Sequence, residues 1–325
     1  MPKSLTALQS PYHAITTQPD DKPMPSHIIC VGKTTLDQIW PVNEMPSGGG
    51  KFRANGFIAQ GGGMAATGAV AVAQLGAQAS FWGRAGDDAA GHVMQNELAC
   101  YGVDVAQFRL FSGARSSVSA VIVDRDGERM IVNFPGANIP DDADWLNFDL
   151  LTTAGAILGD VRWRQGVSQT FAAARQHGIP SVLDCEAATH ADFATLLPQT
   201  DHAIFSVPGL RSFCGGRITD HFEALASVRT LGCKVAAVTM GAQGALWQDD
   251  NGDHHQPAFH TNVVDTTGAG DVFHGAYALA LAERMDVPAA MRFASAVAAL
   301  KCTRHGGRAG IPTRDEVNQF LASNP

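Results

Sequence analysis

A chain of 325 residues, 45% of them hydrophobic, can bury a sizeable core, either as one large α/β domain with an accessory piece or as two domains. The formal charge of -8 argues against nucleic acid or an anionic membrane as the main partner, since both need a basic surface, but a few local Lys and Arg could still hold a small anionic substrate. The six cysteines are scattered with no C-x-x-C pair, and no apolar run reaches the roughly 18 residues of a membrane span, which predicts a reduced, cytoplasmic protein.

Residues 1–25 contain Pro11, Pro19, Pro23 and Pro25 without an apolar h-region, and read as a flexible leader to a domain over 26–325. The first strand is expected at His27 to Val31. Gly32-Lys33-Thr34 imitates the end of a P-loop, but His27 stands where that motif needs its first glycine. Trp40 to Gln60 reads as short strands joined by the Gly48-Gly49-Gly50 loop, with Lys51 at the start of the return strand. Gly61 to Gly63 open a small-residue helix, Met64 to Leu75, stopped by Gly76. Gly61-x-Gly63-x-x-Ala66 loosely matches a dinucleotide fingerprint, yet the polar stretch before it is no buried Rossmann strand. A strand at Ala79 to Gly83, a turn over Arg84 to Asp88 and a helix from Ala89 to Tyr101 follow. Ser117 to Val123 and Met130 to Phe134 then form a hairpin about Asp126-Gly127 that interrupts the β/α rhythm.

From Ala156 the pattern is strand (Ala156 to Leu158), helix (Gln165 to His177), two strands (Ser181 to Leu183, Ala203 to Phe205), helix (Asp220 to Leu231) and strand (Val235 to Thr239). This predicts a mostly parallel sheet with helices on both faces. A second hairpin about Asn251-Gly252 carries His254 and His255, without a Cys or Glu placed to make a metal site. The last expected helix is Pro288 to Arg304.

Most of the chemistry gathers at Asp265-Thr266-Thr267-Gly268-Ala269-Gly270-Asp271. A Gly-rich turn follows two β-branched residues and leads into the apolar run Ala276 to Ala282, a helix that must be buried. Free amides and the positive end of the helix dipole make its start an anion site. A carboxylate there would repel a bound phosphate unless it takes a proton or faces a metal.

This turn, with Gly83-Arg84-x-Gly86-Asp87-Asp88-x-x-Gly91 and Thr239-x-Gly241-x-x-Gly244, resembles the signatures of the PfkB-family (ribokinase-like) carbohydrate kinases over about residues 27–321. The resemblance implies a ribokinase-like α/β fold, a mostly parallel central sheet with helices on both faces, and a small β lid from about 34–60 and 112–135. It implies transfer of phosphate from ATP, with Mg2+, to a sugar hydroxyl. Asp271 would be the general base, the amides of Gly268, Ala269 and Gly270 the anion hole, and Asp37, Gly62 and Gly63 the sugar contacts. Thr239, Gly241 and Gly244 would lie on the nucleotide side. Asp265 and Thr267 match positions that help bind a monovalent cation, K+, in related kinases, though Asp265 also reads as a plain turn residue.

Within the family, Gly61-Gly62-Gly63-x-Ala65-Ala66-Thr67, Asp160-Val161-Arg162-Trp163 and the stretch from Arg292 to Arg304 resemble the kinases that phosphorylate O1 of 6-deoxy-6-sulfofructose. Lys51, Asn133 and Arg162 match the positions that grip the sulfonate there, and two cations with an amide donor suit a tetrahedral oxyanion. A phosphate tail would satisfy the same donors. Two departures stand out: Ser206-Val207-Pro208-Gly209 replaces an Asn-x-x-Glu motif that organises magnesium in many relatives, and Met64 and Thr67 replace the Lys and Asn of ribose-specific members. The alternatives are a kinase for another ketohexose, a sugar phosphate or a nucleoside, and a non-catalytic sugar sensor. A homodimer through the lid would cover its exposed strand edges.

Overall fold

A computed structural model describes residues 26–325; the expected leader lies outside the described residues. The first strand, β1 (His27–Lys33), shows why the chain is layered. Ile28 and Cys30 are buried in one hydrophobic core and Ile29 and Val31 in another, so both faces of the strand are covered.

β1 pairs in parallel with β4 (Gln78–Gly86), which pairs with β5 (Phe108–Phe111). On its other side β1 pairs with β8 (Ala156–Asp160), and β9 (Ser181–Cys185), β10 (His202–Ser206) and β11 (Val235–Thr239) continue the parallel run. The antiparallel hairpin β12 (Ala245–Asp249) and β13 (Gly252–Gln256) closes that edge, giving a sheet of nine strands.

One face packs on α1 (Met64–Gln74), α2 (Ala89–Cys100), α7 (Ala269–Ala282) and α8 (Val287–Cys302). The other packs on α3 (Arg164–Gln176), α4 (His190–Leu196), α5 (Val207–Phe213) and α6 (His221–Arg229). The chain ends in α9 (Arg314–Ser323). α7 is buried without a break from Val272 to Ala280. It meets α1 where both are glycine: a Cβ on Gly275 would lie 2.4 Å from the Gly68 carbonyl oxygen.

A second sheet of four strands has the order β3 (Ile58–Gly62), β2 (Thr35–Pro41), β6 (Val118–Val123), β7 (Arg129–Phe134).

Several expectations need correction. β4 does not turn at Arg84 but runs to Gly86, because Gly83 to Gly86 pair with Phe108 to Phe111, a strand that went unrecognised. The strand returning from the Gly48–Gly50 loop begins at Ile58, so Lys51 lies in an exposed loop. The helices α4, α5 and α9 were also not anticipated. α4 and α9 start with capping boxes, Thr189 with Asp192 and Thr313 with Glu316, and Ser206 caps α5.

Candidate active site

The seven parallel strands end on one edge of the sheet. There β1 separates the β4-β5 side from the β8-to-β11 side, and such a switch in strand order opens a crevice where ligands bind in α/β sheets. Asp160, fully buried at the end of β8, closes the floor. Its Oδ2 accepts from the amides of Lys33 at 3.0 Å and Ala65 at 3.2 Å, and its Oδ1 from that of Arg162 at 2.8 Å. Gly32 must be glycine for this, since a Cβ would stand 2.1 Å from Asp160 Oδ2.

The Gly-rich turn opens onto the same edge. Gly268 is left-handed at φ 73 and precedes the first residue of α7, a conformation glycine adopts without strain. The Ala269 amide donates to the Thr266 carbonyl at 3.2 Å, whereas those of Gly268 and Gly270 meet no acceptor among the described residues. Two of the three amides expected to face an anion are therefore free to do so. Asp271 sits half-buried in the first helical turn, with its carboxyl pushed up to about 7. Burial is the main cause; the nearby Asp184 and Asp160 add to it, and His274 and Arg308 oppose it. A carboxylate poised there is a fitting proton acceptor at neutral pH.

His274, one helical turn on, anchors the turn: Nδ1 lies 2.7 Å from the Gly270 carbonyl and 3.3 Å from Asp184 Oδ2, and Nε2 lies 3.2 Å from the Ile204 carbonyl.

The small sheet contributes a polar row. Gln60, Asp37, Ser119 and Asn133 stand directly opposite one another across its four strands. Asn133 donates to Ser119 Oγ at 3.1 Å. Asp37 is half-buried; burial raises its carboxyl, against hydrogen bonding by Ser119 and the charge of Arg308. Gly62 must lack a side chain, because a Cβ would lie 2.3 Å from Asp37 Oδ2. At Gly63, φ is 96 and a Cβ would lie 2.4 Å from the Lys33 carbonyl oxygen. Gly307 neighbours both this row and the Gly-rich turn, its missing Cβ lying 3.8 Å from Gln60 Nε2 and 3.7 Å from Thr267 Cγ2.

A buried guanidinium and a half-buried carboxylate join these parts, and sequence reasoning passed over both. Arg308 donates from Nη2 to the Gly62 carbonyl at 3.0 Å and pairs with Glu97 at 3.2 Å, while Glu97 accepts from the Gly61 amide. The visible signal was an arginine in the glycine-rich Gly306-Gly307-Arg308-Ala309-Gly310, where an exposed basic residue would need no such setting.

A cavity of about 360 Å3 lies at the strand-order switch, with Lys33, Thr34, Arg84, Ser117 and Arg162 among its lining residues. Arg162 is therefore in the crevice. Asn133 comes near it through Ser117, whose Oγ it approaches at 3.5 Å. Lys51 does not line this cavity.

On the expected nucleotide side, Thr239 ends β11 and donates to the Phe205 carbonyl at 3.3 Å. Gly241 and Gly244 both have positive φ, 57 and 85, in the tight turn that follows.

The residues implied for metals give two different outcomes. Ser206 cannot be backed by a glutamate at Gly209, since a Cβ there would lie 1.8 Å from the Cys185 carbonyl oxygen. Ser206 instead donates to Glu186 Oε1 at 3.0 Å. Mg2+ needs only one or two carboxylates beside phosphate and water oxygens, so half-buried Glu186 fits the task the missing motif leaves open. Asp184 deeper in the site is neutralised more readily, its carboxyl raised well above the usual range by burial and by Asp160 and Glu186.

The Asp265 cluster does not fit a further monovalent cation. Its carboxylate accepts from the Thr267 amide at 2.8 Å, Thr267 Oγ1 at 2.6 Å, Arg129 at 3.2 Å and the Gly306 amide at 2.9 Å. The buried ammonium of Lys301 donates to its carbonyl at 2.8 Å.

Known proteins share this architecture. The pfkB family carbohydrate kinase profile matches residues 25–314. A ribokinase from Bacillus subtilis is 30% identical over 303 residues, covering 91% of this chain and 99% of the relative. A deoxyribokinase from Salmonella typhi is 28% identical over 303 residues, with the same two coverages of 91% and 99%. The structure of Arabidopsis thaliana ribokinase complexed with ribose and ATP superposes with a TM-score of 0.80 at 26% identity, covering 92% of this chain and 99% of that one. The fold is ribokinase-like, and the chain belongs to the pfkB family of carbohydrate kinases.

Proposed function

We propose that this kinase transfers the γ-phosphate of ATP, with Mg2+, to a hydroxyl of a sugar bearing an anionic tail, and that O1 of 6-deoxy-6-sulfofructose is its favoured acceptor. The observation that carries the reaction type is Asp271, raised to about 7, beside the free amides of Gly268 and Gly270. The Asp271 carboxylate takes the proton of the attacking hydroxyl. The amides of Gly268 and Gly270, with Ala269 completing the turn, stabilise charge on the transferring phosphate.

Asp37 and the backbone at Gly62 and Gly63 orient the sugar, and the small sheet acts as a lid over it. Asn133, Arg162 and the loop residue Lys51 meet the tail. Thr239, Gly241 and Gly244 face the nucleotide. Mg2+, held through Glu186 and phosphate oxygens, would neutralise the charge of the phosphate chain. Lys301 supplies the monovalent charge beside the anion hole, so exchanging K+ for Na+ should leave turnover unchanged; dependence on K+ would show that Lys301 does not fill that role.

The likeness to a ribokinase and a deoxyribokinase favours a second reading, a pentose kinase. Met64, which packs against the core, offers a thioether where a ribose site would place a strong donor. A coupled ATPase assay with 6-deoxy-6-sulfofructose, fructose 6-phosphate, fructose, ribose and deoxyribose separates the readings. A highest kcat/KM on an anionic hexose supports the first, and on a pentose replaces it with the second.

A further inference from the structure

The cavity at the strand-order switch gathers three cationic side chains, Lys33, Arg84 and Arg162, along one wall system. They are brought together by backbone, not by counter-ions. Lys33 and Arg84 are register partners on β1 and β4, so in a parallel pair their side chains leave the sheet on the same side. Lys33 and Arg162 are tied to each other through Asp160, one of whose oxygens accepts from each amide.

Only one of the three charges is matched. Arg84 pairs with Asp141 at 2.7 Å, donates to the Pro140 carbonyl and lies over the Trp163 ring at 4.9 Å. The side chains of Lys33 and Arg162 have neither an ion-pair nor a hydrogen-bond partner among the described residues. Lys33 and Arg84 are half-buried and Arg162 is exposed at the opening, so the three like charges repel one another unless an anion enters, and Lys33 records the crowding. Its ammonium is held below the usual lysine range by burial first and then by Arg162 and Arg84, with Asp160 opposing.

The remaining lining suits a small tetrahedral oxyanion. Ser117 offers a hydroxyl, and the wall over Gly136 and Asn138, both with positive φ (91 and 57), turns backbone toward the opening. Ser117 also connects the cavity to the polar row, since Asn133 approaches its Oγ. A ligand whose hydroxyls reach that row can therefore place its charged end in this cavity.

We propose that Lys33, at the end of the first strand, determines specificity for the charged end of the sugar: with Arg162, and with Arg84 as the fixed wall behind them, it holds a sulfonate or phosphate monoester. This rests on the reading of the substrate as an anionic sugar. It adds to the tail site a cation built into the sheet, whereas Lys51 reaches the tail from an exposed loop.

The test is steady-state kinetics of the full chain, Lys33→Met and Lys33→Arg on 6-deoxy-6-sulfofructose, fructose 6-phosphate and fructose. In Lys33→Met, KM for the anionic sugar should rise at least ~10-fold, the scale of one lost charged hydrogen bond, with kcat retained and fructose kinetics unchanged. Lys33→Arg should recover most of the loss. For the unmutated protein, KM for the anionic sugar should rise with ionic strength and that for fructose should not, a measurement that stands even if a variant misfolds.

If the unmutated protein prefers an anionic sugar but Lys33→Met keeps that preference, the assignment of Lys33 is overturned and the substrate reading survives. If the unmutated protein shows no preference for either anionic sugar over fructose, the substrate reading itself falls and this assignment with it. The sugar with the higher kcat/KM tells sulfonate from phosphate.

Discussion

Arg308 donates to the carbonyl of Gly62 at 3.0 Å, across 246 residues of sequence, so the segment after α8 holds the edge of the small sheet directly. Through Glu97 the same guanidinium reaches the Gly61 amide, and its charge is felt by both Asp37 and Asp271. Arg308 thus sets the spacing between the polar row of the small sheet and the Gly-rich turn. Replacing it by methionine leaves the half-buried Glu97 carboxylate and the Gly62 carbonyl without this donor, and an unsatisfied buried acceptor costs about 1–3 kcal/mol. Arg308→Met should lower Tm by several degrees and depress kcat/KM for every sugar alike, measured by thermal melting and a sugar panel. A loss confined to anionic sugars would instead place Arg308 in the tail site.

The raised carboxyl of Asp271 makes two linked statements about pH. As the base it must be ionised, so kcat/KM should fall as pH drops below about 7. For stability the sign runs the other way. Between its unfolded value and about 7 the folded state binds a proton that the unfolded state has released, so the group's contribution favours folding less as pH rises through that window. Asp271→Asn should therefore lose at least ~100-fold in kcat while still binding ATP, and should raise Tm more at pH 8 than at pH 5. Equal melting shifts at both pH values would mean that Asp271 titrates as an ordinary carboxyl.

How much of this was readable in the sequence depended on distance along the chain. The turn Gly268 to Asp271 is local, and its glycines, acid and buried helix stand within one stretch, so its chemistry could be argued before its geometry was known. The parallel sheet was readable for the same reason, as strands alternated with helices. Lys33 stood out only as part of a failed P-loop, because Asp160, which accepts from its amide, lies 127 residues away. Arg308 was passed over because the group it holds is 246 residues upstream. Short elements were lost differently: β5 has four residues and α4 and α5 seven each, too few for a period to show. In α9 the capping box of Thr313 and Glu316 was visible and went unused.

Gly209 explains why the magnesium motif looked absent. The helix α5 starts so close to β9 that no side chain fits at that position, while Glu186, joined to Ser206 at 3.0 Å, offers a carboxylate from the strand side. Glu186→Gln should raise the Mg2+ concentration needed for half-maximal rate by ~10-fold or more, with saturating Mg2+ restoring much of kcat, since outer ligands of a metal site tune affinity on that scale. Ser206→Ala should show a weaker shift in the same direction. An unchanged Mg2+ titration for Glu186→Gln would transfer the role to Asp184.

The small sheet bears an apolar row beside its polar one. Ile58, Ile39, Val121 and Ile131 stand opposite one another, two residues away on each strand from Gln60, Asp37, Ser119 and Asn133. Ile131 is 59% exposed and its neighbour Val132 67%, while Ile58 and Phe57 are 51% and 52% exposed, so apolar surface lies open around the sheet's outer edges. Exposed apolar surface marks a candidate interaction site, and β7 is in addition an edge strand of the sheet. A second copy presenting the same surface would cover both, with each row of isoleucine and valine packing on its counterpart about a twofold axis. Ile131→Glu places a charge in the middle of that contact while leaving the buried cores untouched. The unmutated chain is expected to run as a dimer by light scattering and the variant as a monomer with weakened sugar affinity, because the apolar row adjoins Asp37 and Asn133, the proposed contacts of the sugar and its tail. A monomer for the unmutated chain at concentrations well above those of the assay would remove the dimer, and with it any need for the partner in shaping the site.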